Sequence, residues 1–332
     1  MLEQLPAAFA LGSVVSAWVL VGLVRQLAIR HGVVDHPTDR SSHAVPTPRG
    51  GGLGALLVVL VAWGWRATHP VTWTILVPLA GLAMVGLVGY MDDRRGLSVR
   101  SRLVVHVLAA SSVGFVAASA GSPVLLAAGM FLWWTFWTIS SINLVNFMDG
   151  INGLVVSQIA VFALSLALFP DPTRTVPLLA IIVVGACAGF LPWNFPRARI
   201  FLGDVGSGAL GYLVPVLALL AMRQADVDIV RAHLPLLPLF GDATWTIVRR
   251  WRRGERVTAP HRSHLYQRLA NGGLGHTRVT LIYAAASICG AFVAHLGPVS
   301  VGSPWVVAYG ALTVIGGVLL DRHAMATSRR GL

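Results

Sequence analysis

The sequence predicts an all-α, polytopic integral membrane protein of about eleven transmembrane helices, with the N-terminus out and the C-terminus in. Three observations predict it. The 332-residue chain is 55% hydrophobic and 11% charged, with a mean hydropathy of +0.72, and a soluble domain of that length would expose far too much apolar surface. Eleven apolar stretches recur, near 8–29, 51–66, 72–90, 102–120, 123–141, 153–170, 176–192, 205–222, 232–249, 278–296 and 304–320. Several fall short of the roughly 20 residues that a spanning helix needs. Finally, all 25 basic residues are arginine, and 21 of them lie in or beside the odd-numbered gaps and the C-terminal tail. Only Arg66, Arg174, Arg223 and Arg231 lie on the other side, the bias expected of cytoplasmic loops.

The first stretch follows Glu3 rather than a basic segment and has no small-x-small cleavage site, so it is expected to be a retained helix. After it, the polar clusters fall in alternate gaps, at about 30–50, 91–101, 142–152, 193–204 and 250–277. Alternate gaps open on one face of a bilayer, so five polar loops can build one active site there. No linker, low-complexity segment or convincing repeat divides the chain, and residues 1–332 read as a single transmembrane catalytic domain. The net charge of +12 sits in membrane-flanking loops. It suits anionic membrane lipids or substrates as partners rather than nucleic acid. Cys187 and Cys289 lie inside apolar stretches without metal-ligand spacing and read as inert packing residues.

The chain holds 13 acidic residues, and Asp92, Asp93, Asp149 and Asp204 fall in the polar loops of the expected inner face. An isolated Asp-Asp pair usually caps a helix in water. Asp149 and Asp204, however, are embedded in apolar sequence, where carboxylates are expensive and functional. Clustered carboxylates with few Cys or His suit Mg²⁺, which takes one or two of them plus phosphate oxygens. Asn143, Asn146, Asp149 and Asn152 recur every three residues, a row that drifts round a regular helix. Gly150 and Gly153 suggest that the helix breaks there.

Gly206-Ser-Gly-Ala-Leu-Gly211 matches a dinucleotide-binding fingerprint, but no strand precedes it. It reads instead as close helix packing, with Asp204 at a helix start able to favour phosphate. Arg49, beside the amides of Gly50 to Gly52, marks either a phosphate cradle or an interfacial turn. His261 and His264, with Arg262 and Arg268, suit a pyrophosphate better than zinc. Asp242 is expected to pair with Arg249 or Arg250.

The set Gly-Tyr-Met-Asp92-Asp93, Asn143-x-x-Asn146-x-x-Asp149-Gly, Asn194-Phe with Phe201-Leu-Gly-Asp204-Val-Gly-Ser207, and His261-Arg-Ser-His264-Leu-Tyr-Gln-Arg resembles the polyprenyl-phosphate N-acetylhexosamine-1-phosphate transferase superfamily (glycosyltransferase family 4). Ser41-Ser42-His43, Pro46-Thr47-Pro48-Arg49 and the His261–His264 form resemble its branch that starts O-antigen and related surface polysaccharides. The peptidoglycan branch, phospho-N-acetylmuramoyl-pentapeptide transferase, carries adjacent histidines and usually a lysine near the first inner loop. This chain has neither, so that branch is the alternative.

The resemblance implies that N-acetylhexosamine-1-phosphate passes from a UDP-N-acetylhexosamine to undecaprenyl phosphate, with Mg²⁺, or Mn²⁺ in its place, as cofactor. It implies Asp204 and Asp149 as metal ligands and Asp92, Asp93 and Asp149 as catalytic residues, Asp92 and Asp93 holding the lipid phosphate with one as a base. For substrate it implies Thr47, Arg49, Asn143, Asn194, Phe201, His261, Arg262 and His264, with Asn146 and Asn152 toward the nucleotide. Asn152 stands where many relatives have Asp. Direct attack is favoured over an aspartyl-phosphate, because a phosphomonoester is mostly dianionic at neutral pH. A bacterial inner-membrane location, a cytoplasmic active site and a homodimer are family-level expectations. A secondary transporter is the alternative of another class, but its polar groups would lie at mid-membrane in paired halves.

Overall fold

A computed structural model describes residues 5–35, 37, 45–68, 71–119, 121–225, 227–256, 259, 261–296 and 303–330, with side chains at the two ends from 7 and to 322. Ser41, Ser42 and His43 lie outside the described residues. Each of the eleven apolar stretches lies on a helix. These are α1 (Leu5–Arg30), α2 (Gly52–Ala67), α3 (Trp73–Arg95), α4 (Val99–Ala118), α5 (Val124–Met148), α6 (Leu154–Ala167), α7 (Thr175–Asn194), α8 (Gly203–Gln224), α10 (Leu237–Arg252), α12 (Gly275–Ala294) and α13 (Pro304–Arg330). Two short helices, α9 (Ile229–His233) and α11 (Leu265–Leu269), are additional.

Eight helices among the described residues are long and apolar enough to cross a membrane. Helices α2 and α6 are apolar but have only 16 and 14 residues, about 21–24 Å at 1.5 Å per residue. Helix α10, also 16 residues, carries Arg249, Arg250 and Arg252 in its last turn. The eight long helices are thus fewer than the eleven apolar stretches. The only departure from all-α among the described residues is a two-residue antiparallel ladder of β1 (Val34–Asp35) with β2 (Thr47–Pro48), plus one isolated bridge from Thr68 to Val71.

The core sits around α8, 94% of whose apolar span is buried. Helices α2, α3, α5, α6 and α7 surround it, α1 lies on α7, α4 on α3 and α5, and α12 on α6. Small residues permit this density. A Cβ on Gly52 would lie 2.2 Å from the Gly206 Cα, and one on Gly211 would lie 2.7 Å from the Ile142 Cα. The glycines of the dinucleotide-like pattern therefore hold helix contacts. Tyr212 of α8 donates to the Pro78 carbonyl at 2.9 Å and pairs with Ser112 at 2.6 Å, joining α3 and α4 to the centre.

Three of the four arginines outside the polar-loop set serve helix ends. Arg66 donates to Thr175 Oγ1 at 2.7 Å, Arg223 to the Val116 carbonyl, and Arg231 to the Ala294 carbonyl at 2.9 Å. Cys187 is buried, as expected, whereas Cys289 is exposed on α12 and does not pack in the interior.

Candidate active site

Helix α3 ends in water-facing arginines, and Gly96, at φ +65°, turns the chain into α4. That turn leaves Asp92 and Asp93 at the same end as the start of α8. Asp93 accepts from the Asp204 amide at 2.9 Å and the Val205 amide at 3.1 Å. The first amides of a helix have no partner within it, and here a carboxylate 111 residues upstream supplies one. Arg49 adds an ion pair to Asp93 at 2.9 Å. Gly203 makes the approach possible. At φ +76° it takes a backbone shape other residues resist, and a Cβ there would lie 2.5 Å from Asp93 Oδ2.

This cap aims the Asp204 side chain outward. Its Oδ1 accepts from Asn146 Nδ2 at 2.7 Å, while Arg49 and Arg102 lie 3.7 and 3.8 Å from Oδ2. Asp92 accepts from the Leu97 amide, pairs with Arg102 at 2.6 Å, and lies within hydrogen-bonding range of Asp204.

Asp204 opens on a cavity of about 550 Å³, within the range of ligand pockets. Four of the five polar loops line it directly: Asp35 and Arg49 from the first, Asn146 to Asn152 from the third, Asn194 to Ser207 from the fourth, and His261, Arg262, Gln267, Asn271 and His276 from the last. The second segment reaches it through Asp92 and Asp93, which touch Asp204 and Arg49.

Asp149 stands where α5 ends, with φ −84° and ψ 56°, and Gly153 restarts the chain at φ +76°. The helix breaks as the glycines suggested. The Asp149 carboxylate lines the cavity and accepts no hydrogen bond from the described residues. Burial, with repulsion from Asp204 and Asp93, raises it to about 7. Burial opposes the charge on Arg49, but Asp93, Asp204 and Asp35 outweigh it and hold its pKa above the ordinary value. Asp149 and Asp204 together present carboxylate oxygens beside cationic groups, a donor set that fits one hard cation with phosphate filling the remaining positions. No cluster of three His, Cys, Asp or Glu exists among the described residues that would hold a metal unaided.

Several expected site residues have other duties. Asp93 carries three donors, the Asp204 and Val205 amides and Arg49, so two of the amides at the α8 start are occupied by a carboxylate. Asp92 lies beside Asp93 and Asp204 and is paired with Arg102, outside the cavity lining. The amides of Gly51 and Gly52 donate to the Phe201 and Leu202 carbonyls, each at 2.9 Å. They clamp two loops and do not cradle phosphate. Thr47 is buried and donates to Val45, while Asn143 donates to Ile139 within its own helix. Neither lines the cavity.

Asn194 lines the cavity, but its Oδ1 takes the Gly153 amide at 2.6 Å and its Nδ2 donates to Ile200. Asn152 donates to the Pro196 carbonyl at 3.0 Å from the cavity wall. His264 is buried, stacked on Tyr266, and outside the cavity lining. Burial and the nearby Arg249 and Arg250 lower its pKa despite Asp242, leaving it neutral. Asp242 forms no arginine pair. It accepts from the Leu265 amide at 2.8 Å, the Tyr266 amide at 3.0 Å and the Tyr283 hydroxyl at 2.7 Å.

Ser207 and Gln267 stand within the quoted motifs without an assigned role, and Arg102, Asn271 and His276 stand outside them. Arg102 lies ten residues beyond Asp92 and looked like ordinary loop charge. Asn271 belongs to a visible Asn-Gly-Gly run whose fold was not derivable.

Residues 75–222 match the model of glycosyl transferase family 4. The chain is 31% identical over 317 residues to the decaprenyl-phosphate N-acetylglucosaminephosphotransferase of Mycobacterium tuberculosis, covering 83% of this chain and 78% of that protein. It is 30% identical over 294 residues to a probable undecaprenyl-phosphate N-acetylglucosaminyl 1-phosphate transferase of Bacillus subtilis, covering 81% and 78%. A phospho-N-acetylmuramoyl-pentapeptide-transferase of Synechococcus is 29% identical over 295 residues, covering 81% and 84%. A multi-pass helical chain, one polar cavity at its loop ends and relatives matched across four-fifths of its length agree: the protein belongs to glycosyl transferase family 4.

Proposed function

We propose that the protein transfers N-acetylhexosamine-1-phosphate from a UDP-sugar to undecaprenyl phosphate, yielding undecaprenyl-diphospho-sugar and UMP, as the first step of a surface polysaccharide. N-acetylglucosamine is the sugar the relatives' names favour. The observation that carries the reading is the meeting of Asp149 and Asp204 with Arg49, His261 and Arg262 in one cavity at the loop ends of apolar helices.

An oxygen of the lipid phosphate attacks the β-phosphorus of the donor. The new P–O bond forms as the bond from that phosphorus to the oxygen bridging it to UMP breaks, and UMP leaves with the electron pair. The nucleophile needs little help with its proton, since its second pKa is near 6. Charge is the larger barrier, because a dianion approaches a diphosphate. Arg49, His261 and Arg262 lie where they offset that repulsion, and Asn146 fixes the orientation of Asp204. Mg²⁺ held by Asp204 and Asp149 would supply further charge neutralisation and a template for the phosphates. Asp93 orients Asp204 through the α8 cap, and Arg102 holds Asp92 away from the bulk.

The same reading has eleven crossings, with α2, α6 and α10 completing the count, the N-terminus out, the C-terminus in and the cavity cytoplasmic. The arginine bias supports it, as does the tilt or local thinning by which short helices are accommodated. A bacterial inner membrane and a homodimer belong to it as well.

The test is UMP release by the purified protein with undecaprenyl phosphate and a panel of UDP-N-acetylhexosamines, including the muramoyl-pentapeptide donor. Release that needs lipid and Mg²⁺ and stops with EDTA is expected. Folded protein silent across the panel would overturn the reading.

A further inference from the structure

The acidic loop that carries Asp149 rests on a tyrosine that does not line the cavity. Tyr266 of α11 is wholly buried. Its hydroxyl donates to the Phe147 carbonyl at 3.1 Å, one of the last-turn carbonyls of α5 that have no donor within the helix. Two residues later comes Asp149, whose side chain accepts no hydrogen bond from the described residues, so its backbone sets where the carboxylate points. The next residue touches the same tyrosine, because a Cβ on Gly150 would lie 2.2 Å from the Tyr266 hydroxyl and 3.1 Å from its ring.

The other end of Tyr266 is fixed just as firmly. Asp242 of α10 accepts both the Leu265 and Tyr266 amides, and Tyr283 of α12 donates to the same carboxylate. Toward the cavity the rings continue. The Tyr266 ring lies 5.7 Å from His264, and His264 lies 4.9 Å from His261, which lines the cavity.

We propose that Tyr266, anchored by Asp242, is a positioning residue for Asp149, tying the His261–Arg262 wall of the cavity to the acidic wall so that the two are set as one unit. The inference rests on the transferase reading for its activity arm and on Asp149 as a metal ligand for its binding arm. It predicts an effect on cation binding that loss of fold stability alone would not produce.

The experiment uses the full chain in lipid nanodiscs, with Mn²⁺ binding followed by electron paramagnetic resonance and turnover by UMP release. Tyr266→Phe and Gly150→Ala, which disturb the contact from opposite sides, are each expected to weaken Mn²⁺ affinity and lower kcat by about five- to tenfold, the scale of one hydrogen bond. KM for the lipid is expected to stay within about twofold. The double variant should lose no more than the worse single one, because the hydroxyl that Ala at 150 would meet is gone. Wild-type Mn²⁺ affinity and kcat in Tyr266→Phe, additive losses in the double variant, or fewer binding sites of unchanged affinity would each overturn the proposal. Should Tyr266→Phe fail to fold, Gly150→Ala decides alone by the same criteria. If the wild type releases no UMP but the affinity pattern holds, the transferase reading fails and the positioning role stands. If the wild type binds no Mn²⁺, the positioning role falls.

Discussion

Two helix starts in this protein are capped by the same device, a buried carboxylate from an earlier helix that accepts two consecutive first-turn amides. At α8 the carboxylate is Asp93, and at α11 it is Asp242. They differ in what balances the charge. Asp93 has a cation on it, Arg49 at 2.9 Å, whereas Asp242 has the Tyr283 hydroxyl at 2.7 Å and Thr246 at 3.2 Å. His264 stands 3.9 Å from Asp242, with its pKa lowered by burial, and gives no ion pair. The difference follows from place. The α8 cap adjoins the cavity, where Arg49 also faces Asp204, and the α11 cap lies in the wall behind it. One cap therefore aims Asp204 at the cavity, and the other sets Tyr266 against the loop that carries Asp149.

The comparison breaks most visibly at the residue the first cap presents. Asp204→Asn is expected to lower UMP release by on the order of 10³ while leaving the fold intact, since a cavity carboxylate is lost and the cap remains. Next comes the cap itself. Asp93→Asn takes the nearest carboxylate from Arg49, which is 34% exposed and keeps Asp204 at 3.7 Å, and should lower stability by about 2–3 kcal/mol in thermal melts, below a fully buried pair. Asp242→Asn strands no cation and should cost about 1–2 kcal/mol. Equal losses would mean that Arg49 contributes nothing to the α8 cap.

The pH dependence sharpens the contrast between capped and free acids. Asp149, with a folded pKa of about 7 against an ordinary 3.8, holds a proton in the folded state that the unfolded chain has released. Its contribution to metal-free stability therefore falls as pH rises from about 4 to about 7. Melting in EDTA across that window should show the slope, and Asp149→Asn should flatten it. The smallest effect is expected at Thr47→Val, within about threefold of wild-type turnover, because its hydroxyl reaches only the Val45 carbonyl. A loss of tenfold or more would put Thr47 back in contact with substrate.

Much of the site was legible because chemistry-bearing residues in a membrane chain stand out against apolar sequence. Asp149, Asp204, Arg49, Asn146 and His261 were found that way, and they meet in one cavity. Thr47, Asn143 and His264 lie in the same motifs, but their side chains turn to the backbone or into a ring stack. A motif records that a residue type is needed and does not say which way the side chain points. Arg102 and His276 were missed for the converse reason, since nothing beside them in the sequence distinguishes them from loop charge.

The sequence by itself determined that the chain is helical and apolar, that its polar loops share one side, and which family its motifs belong to. Each follows from local patterns of hydropathy, charge and residue spacing. Only the tertiary structure decided which carboxylates line the cavity and which hold helices in place. Asp92, Asp93, Asp204 and Asp242 are alike as residues, and their roles depend on amides, cations and hydroxyls brought to them from distant parts of the chain, as Arg49 is to Asp204. That choice is made when helices approach closely enough, at Gly52, Gly203 and Gly206, for one helix to complete the hydrogen bonds another leaves open.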